Sequence, residues 1–275
     1  MKPFRTIEVS DPRFESGGLR FITVKSVWLK GRGDICVYVP GGIPEGQSLP
    51  VVVLLHGVYG SAWSWSQQGG VHLRAAGMIR EGVLPPMIIA MPSDGLWGDG
   101  SGYLPHGEVD FEKWIVEDVV NAVRWAIPAA RQDVGLFIGG LSMGGYGALL
   151  AGVKYHDLFD AISVHSAITS LDQMKLFVEE GLGSYQQADA GKQDVLATCL
   201  LYKGKVPSLR FDCGREDLLI DYNRVLHRGL EAAGIDHEYR EYEGGHEWAY
   251  WEEHVAESLL FFARVLREGG KLRAG

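Results

Sequence analysis

The sequence predicts an α/β fold: a mostly parallel, doubly wound sheet with antiparallel strands at its N-terminal end. Three observations carry that expectation. Solid apolar, β-branched runs recur along the chain, as at Val51-Val52-Val53-Leu54-Leu55, which is the signature of strands buried on both faces. Segments of helical period lie between those runs. Strand and helix alternate without a break in composition, which implies right-handed βαβ crossovers.

The first part of the chain is different. Leu19–Trp28 and Asp34–Val39 are β-rich, and the turn cluster Lys30-Gly31-Arg32-Gly33 between them makes an antiparallel pair. Residues 40–50 form a connection rich in proline and glycine. The buried strands follow at Val51–Leu55, Met87–Met91, Leu136–Ile138 and Ala161–Val164; Leu209–Cys213 is a further strand and Glu238–Tyr242 the last. Phe111, Trp114, Ile115, Val119, Val123 and Ile127 fall on one helical stripe, and Pro128 ends it. Residues 143–154, 221–233 and 252–268 are further helices. Residues 166–207 are polar and show no clear strand, and they are expected to form an insertion over the C-terminal edge of the sheet, a candidate lid. The whole chain, 1–275, is expected to be a single domain, since no repeat or composition break divides it.

Composition narrows the function. With 26 Lys+Arg against 35 Asp+Glu the formal net charge is −9, which argues against nucleic acid and anionic membrane as partners. No apolar run approaches the 18 residues of a spanning helix, and the start, MKPFRTIEVSDPRFE, lacks the apolar core of a signal peptide. A cytoplasmic location is the expectation. Cys36, Cys199 and Cys213 are far apart in sequence and read as small buried hydrophobes. Glycine is abundant, 37 of 275 residues, and it gathers in 56–70, 95–107, 139–147 and 244–246.

The chemistry begins at Gly140-Leu141-Ser142-Met143-Gly144. A G-x-S-x-G pentapeptide alone is weak, but here a strand runs into it and a helix leaves it. Serine on such a turn sits in strained backbone at a helix N-terminus, where developing negative charge is favoured. Serine needs a base. Of the nine histidines, His246 follows the last strand within Gly244-Gly245-His246 and is the candidate. Asp217, after the strand 209–213, is the candidate to orient it; Glu216 is the neighbouring competitor, and Asp212 and Asp221 are weaker ones. The chain order Ser142, Asp217, His246 is that of an α/β-hydrolase. An oxyanion hole needs two N–H donors; these are expected from the backbones of Met143 and Val58, the latter in His56-Gly57-Val58-Tyr59-Gly60 after the first buried strand. His56 itself reads as structural. Trp63, Trp97, Tyr103 and Trp248 are candidate substrate-binding residues, Gly95–Gly107 the candidate substrate loop, and His165 a candidate for the pocket wall.

A metal hydrolase is the rival enzyme class. His246-Glu247-Trp248-Ala249-Tyr250 begins like H-E-x-x-H, but Tyr250 stands where the second ligand belongs. A non-catalytic binding scaffold and a serine peptidase of the same fold also compete, and the intact set of triad candidates argues against the scaffold.

The motifs LLHGVYGSAWSW at 54–65, GGLSMGGYGALL at 139–150, FDCGRED at 211–217 and GGHEWAYW at 244–251 together resemble the esterase D branch of the α/β-hydrolases. That branch holds tributyrin-type esterases, S-formylglutathione hydrolases and family 1 carbohydrate esterases. The resemblance covers residues 20–266. It implies the α/β-hydrolase fold, Ser142, Asp217 and His246 as triad, the Val58 and Met143 amides as oxyanion hole, and no metal or organic cofactor. The implied reaction is hydrolysis of short-chain acyl esters; a carbohydrate esterase of feruloyl or acetylxylan type is the alternative. The formylglutathione type is disfavoured by His-Gly-Val-Tyr-Gly after the first buried strand and by Tyr146. The implied partner is a small-molecule or sugar-linked ester, and no oligomeric state follows.

Overall fold

The computed structural model describes residues 4–130, 134–185 and 193–269. Its frame is a nine-stranded sheet. Strands β1 (Ile7–Val9), β2 (Leu19–Lys25) and β3 (Arg32–Tyr38) pair antiparallel, and β3 pairs antiparallel with β5 (Ile88–Pro92). From there the sheet is parallel. It runs from β5 through β4 (Val51–Leu55), then beyond a short hairpin of β6 (Pro105–His106) and β7 (Val109–Asp110) to β8 (Leu136–Leu141), β9 (Ala161–His165), β10 (Ser208–Gly214) and β11 (Glu238–Tyr242). The order across the sheet is β1-β2-β3-β5-β4-β8-β9-β10-β11.

Every residue of β4, β5, β8 and β9 is buried, as their unbroken apolar runs require when both faces are covered. Two apolar clusters fill those faces. One packs against α5 (Met143–Lys154) and the α7 helix (Ile220–Ala233); the other packs against α8 (Trp248–Glu268). Before α5, helices α1 (Ser64–Gln67) and α2 (Val71–Arg80) follow β4; α3 (Phe111–Lys113) and α4 (Val120–Ala126) are joined by a π-helical stretch, Trp114–Val119. The sequence reads 111–127 as one helix, and it is one rod with a widened middle.

The remaining differences are local. β3 starts two residues early, α8 starts at Trp248 rather than 252, and β8 extends to Leu141, carrying its strand up to the nucleophile candidate. The short α1, α2 and β1 carry no clear sequence signal. In the expected insertion, residues 166–185 and 193–207 hold two 3-10 turns and the α6 helix (Val195–Leu201); residues 186–192 lie outside the described residues. Among the described residues no helix is long and apolar enough to cross a membrane.

Candidate active site

Ser142 stands between β8 and α5 with φ 53° and ψ −120°, a backbone state that costs a non-glycine residue free energy. The surroundings hold it there. Its N–H donates to the carbonyl of His165 (3.0 Å), and its carbonyl accepts from Tyr146 N–H (3.0 Å) and Ile168 N–H (3.2 Å). The flanking glycines are needed for close approach: a Cβ on Gly140 would lie 2.6 Å from the Gly144 backbone, and one on Gly144 would lie 2.4 Å from the Leu55 carbonyl oxygen.

His246 sits in the loop between β11 and α8. Its Nε2 lies 2.9 Å from Ser142 Oγ, and its Nδ1 lies 2.9 and 3.0 Å from the two carboxylate oxygens of Asp217. An ionised carboxylate only accepts, so Nδ1 carries the proton and Nε2 faces the serine as acceptor. The Asp217 carboxylate also accepts from Leu219 N–H (2.8 Å), and the residue is buried. Glu216, the competing acid, has another task. Its carboxylate accepts from Gly244 N–H (2.6 Å) while its own N–H donates to Gly244 carbonyl (3.1 Å). Gly244 has φ +116°, open only to glycine, so this clamp fixes the turn that presents His246. Asp221 pairs with Arg224 at the surface.

Val58 lies in the loop after β4, and Met143 is the residue directly after the serine. Met143 opens α5, so its N–H has no acceptor inside that helix. In the same loop as Val58 the N–H groups of Tyr59 and Gly60 are taken by Asp99 and Gly57 carbonyls, so neither of those two is the donor, and Val58 stays the candidate. His56 is buried and fixes this loop. The Asp94 N–H donates to its Nε2 (3.1 Å), so Nδ1 bears the proton and donates to Gly57 carbonyl (2.7 Å). Burial holds the His56 pKa down, against the pull of Asp94, in keeping with a neutral ring.

A cleft of about 270 Å³ opens at the serine, lined by the 57–60 loop with Gln68, Leu141, Ser142, Phe177, His246, Trp248 and Trp251. A wider hollow, about 720 Å³ near Lys203 and Asp236, has no histidine in its lining. Of the four aromatic residues expected to bind substrate, Trp248 lines the cleft. Trp63 is half-exposed and lies outside the lining. Trp97 packs on His106 and Tyr185. Tyr103 is buried, and its hydroxyl donates to His56 carbonyl (3.0 Å).

None of the 95–107 segment is among the lining of this cleft. Asp94 accepts from Leu96 and Ser101 N–H, Gly102 N–H points at Met143 Sδ (3.4 Å), and Asp99 carbonyl holds Tyr59 N–H (2.8 Å). Its Gly100 brings backbone close to Met143 and Val58, where an added Cβ would lie 2.4 Å from Met143 Sδ and 3.2 Å from Val58 Cγ1, so the segment buttresses the backbone that carries those two residues. His165 is no pocket residue either: it is buried and bonds to Asp212 and Ser258. Residues missed by the sequence reading are Tyr59, Gln68, Phe177 and Trp251. The Trp248/Trp251 spacing of three on a helix is a sequence signal for one shared face; Phe177, far away in sequence, has none.

Comparison with known proteins fits this arrangement. The family model described as "Putative esterase" matches residues 26–262. The chain belongs to this esterase family. A curated acetyl esterase of Caldicellulosiruptor saccharolyticus is 28% identical over 239 residues, 80% of this chain and 86% of that protein. Among solved structures, a ferulic acid esterase superposes with TM-score 0.80 at 22% identity, covering 95% of this esterase and 99% of that chain. An S-formylglutathione hydrolase from Agrobacterium tumefaciens gives TM-score 0.78 at 17% identity, covering 92% and 97%. The esterase has the α/β-hydrolase fold.

Proposed function

We propose that this esterase hydrolyses short-chain acyl esters through an acyl-enzyme on Ser142. The observation that carries the reading is the relay Ser142 Oγ–His246 Nε2, His246 Nδ1–Asp217, at 2.9 Å per step, opening on a small cleft. His246 takes the serine proton as Ser142 attacks the carbonyl carbon, and the Val58 and Met143 amides hold the oxyanion. His246 then protonates the leaving alcohol, and water repeats the sequence on the acyl-enzyme. Asp217 keeps His246 in the working tautomer. A cleft of about 270 Å³, below the usual range of roughly 300–1,000 Å³ for ligand pockets, suits a short acyl group, and the acetyl esterase relative supports the same size. The substrate is a small-molecule ester, sugar-linked in the alternative reading of a carbohydrate esterase, which the aromatic walls Tyr59, Phe177, Trp248 and Trp251 favour.

We place the esterase in the cytoplasm, acting without nucleic acid or membrane partner. The negative net charge and three free buried cysteines support that. We also read it as a single domain in which residues 166–185 and 193–207 belong to an insertion at the sheet edge, a candidate lid.

Ser142→Ala tests the chemistry. Hydrolysis of p-nitrophenyl acetate should lose roughly 10⁶ in kcat, the scale of triad knockouts; activity that survives at the wild-type level removes Ser142 from the mechanism. A panel of p-nitrophenyl esters of rising chain length, methyl ferulate, acetylated xylan and S-formylglutathione ranks the substrates, with acetate expected first.

A further inference from the structure

A second Ser–His–Asp relay lies inside the protein. Ser258 Oγ is 2.8 Å from His165 Nε2, and His165 Nδ1 is 2.9 Å from Asp212. All three residues are fully buried, none lines the cleft, and Ser258 lies within α8 rather than on a strained turn. A nucleophile without access to substrate does no chemistry, so this relay needs another explanation.

Its bonds close into a ring. Arg210 Nη1 donates to Asp212 Oδ2 (2.6 Å) and, at 3.4 Å, to Ser163 Oγ; Ser163 Oγ meets Ser258 Oγ at 2.7 Å. The ring therefore ties together β9, β10 and α8. Burial works against the charge on Asp212, but His165, Arg210 and Tyr250 outweigh it and hold the carboxyl at about 2.

Two members of the ring, His165 and Asp212, also reach toward the catalytic geometry. The backbone carbonyl of His165 accepts the N–H of Ser142 (3.0 Å), and the Asp212 carbonyl accepts that of Ser166 (2.7 Å). The hydroxyl of Tyr250 donates to Asp212 Oδ1 (2.7 Å). The Tyr250 ring packs at Gly244, where an added Cβ would sit 3.0 Å from Tyr250 Cδ2. Gly244 is two residues before His246. The next residue, Trp251, stands edge-on to the His246 ring at 5.0 Å. So the same buried group reaches the nucleophile through β9 and the base through α8.

We infer that the Asp212–His165–Ser258 ring, read out by Tyr250, is the positioning device that sets the distance between Ser142 and His246. Asp212, His165 and Tyr250 are positioning residues: they touch no substrate and act through the two that do. The inference rests on the reading of Ser142 and His246 as nucleophile and base.

The test uses Tyr250→Phe and Ser258→Ala in the full chain, the first removing the bond to Asp212 and the second the bonds to His165 and Ser163, so that the network is broken from two different sides. Active sites are counted by the burst with p-nitrophenyl acetate, so that any unfolded fraction drops out. Expected is a fall of about tenfold in kcat per titrated site, since sub-ångström misplacement of reacting groups is costly. KM stays within about twofold, because the cleft lining is untouched. The rate of covalent inactivation by a fluorophosphonate falls in parallel, as it reports the serine–histidine pair directly. Unchanged kcat per titrated site in both variants overturns the inference, whatever happens to Tm. Failure of the reading beneath it is separate: that would show as full activity in Ser142→Ala.

Discussion

Gly144 shows how one absent side chain holds a site together. A Cβ there would lie 2.4 Å from Leu55 carbonyl oxygen and 2.5 Å from that of His56, and backbone cannot retreat as a side chain can. Gly144→Ala should push the start of α5 away from β4 and carry Ser142 and the Met143 amide with it. A displacement on the ångström scale costs about 10² in kcat, measurable per titrated site with p-nitrophenyl acetate. Gly77→Ala, in the middle of α2, is the contrast. A Cβ there meets only Arg80 Nη2 at 3.8 Å, so the substitution should leave kcat alone and stabilise the protein by about 0.5–1 kcal/mol. Equal activity in the two variants would refute the account of Gly144. Motif residues such as Ser142 and Gly144 are legible in sequence because the strand–turn–helix that holds them is continuous in the chain and keeps its small residues at fixed spacing. Tyr103 and Trp97 are not. Their place in a glycine-rich loop reveals that backbone approaches something closely, but not whether the rings face substrate or core.

At the scale of elements, β4, β5, β8 and β9 declare themselves because burial on both faces forces unbroken apolar runs. Four parallel strands end beside the candidate site residues: Ser142 follows β8, Asp217 follows β10, His246 follows β11 and Val58 follows β4. What the runs do not disclose is how the inserted segment meets those strand ends. Tyr59 hydroxyl donates to Phe177 carbonyl (2.5 Å), Glu179 N–H to Asp99 Oδ2 (2.8 Å), and Asp99 N–H to Glu180 Oε1 (3.0 Å). These bonds hold the Phe177 ring 5.0 Å from that of His246, as one wall of the cleft. Contacts between residues so far apart in the chain leave no periodic trace in sequence. Phe177→Ala should remove that wall. The ratio of kcat/KM for p-nitrophenyl octanoate over acetate should then rise about tenfold, the scale at which a hydrophobic pocket discriminates chain length. An unchanged ratio would show that the acyl group lies on the other side of the cleft, against Trp248.

For the whole molecule, the buried polar groups set how stability depends on pH, in two separate windows. His56 is held neutral by burial with its pKa lowered, and burial lowers His72, His106 and His254 in the same direction. In the unfolded chain these rings bind protons below about pH 6.5, whereas the native state resists them. The unfolded state therefore binds more protons, and stability falls as the pH drops from 7 toward 5. Asp212 acts lower down. Its folded pKa of about 2 lies below the ordinary carboxyl value of 3.8. Its contribution is thus complete above about pH 4 and is lost as the pH falls through 2, on the order of 2 kcal/mol. Thermal melts from pH 8 to 3 should show Tm falling across the histidine window and falling again below pH 4. In Asp212→Asn the lower step should shrink while the upper one persists, since the two arise from different groups. A Tm that stays level between pH 7 and 5 would mean that the buried histidines enter the native state charged, which would contradict the donor assignment at His56. The Val58 loop hangs on that assignment: protonated at Nε2, His56 could no longer accept the Asp94 N–H, and the backbone that presents Val58 would lose its anchor to the 94–103 segment.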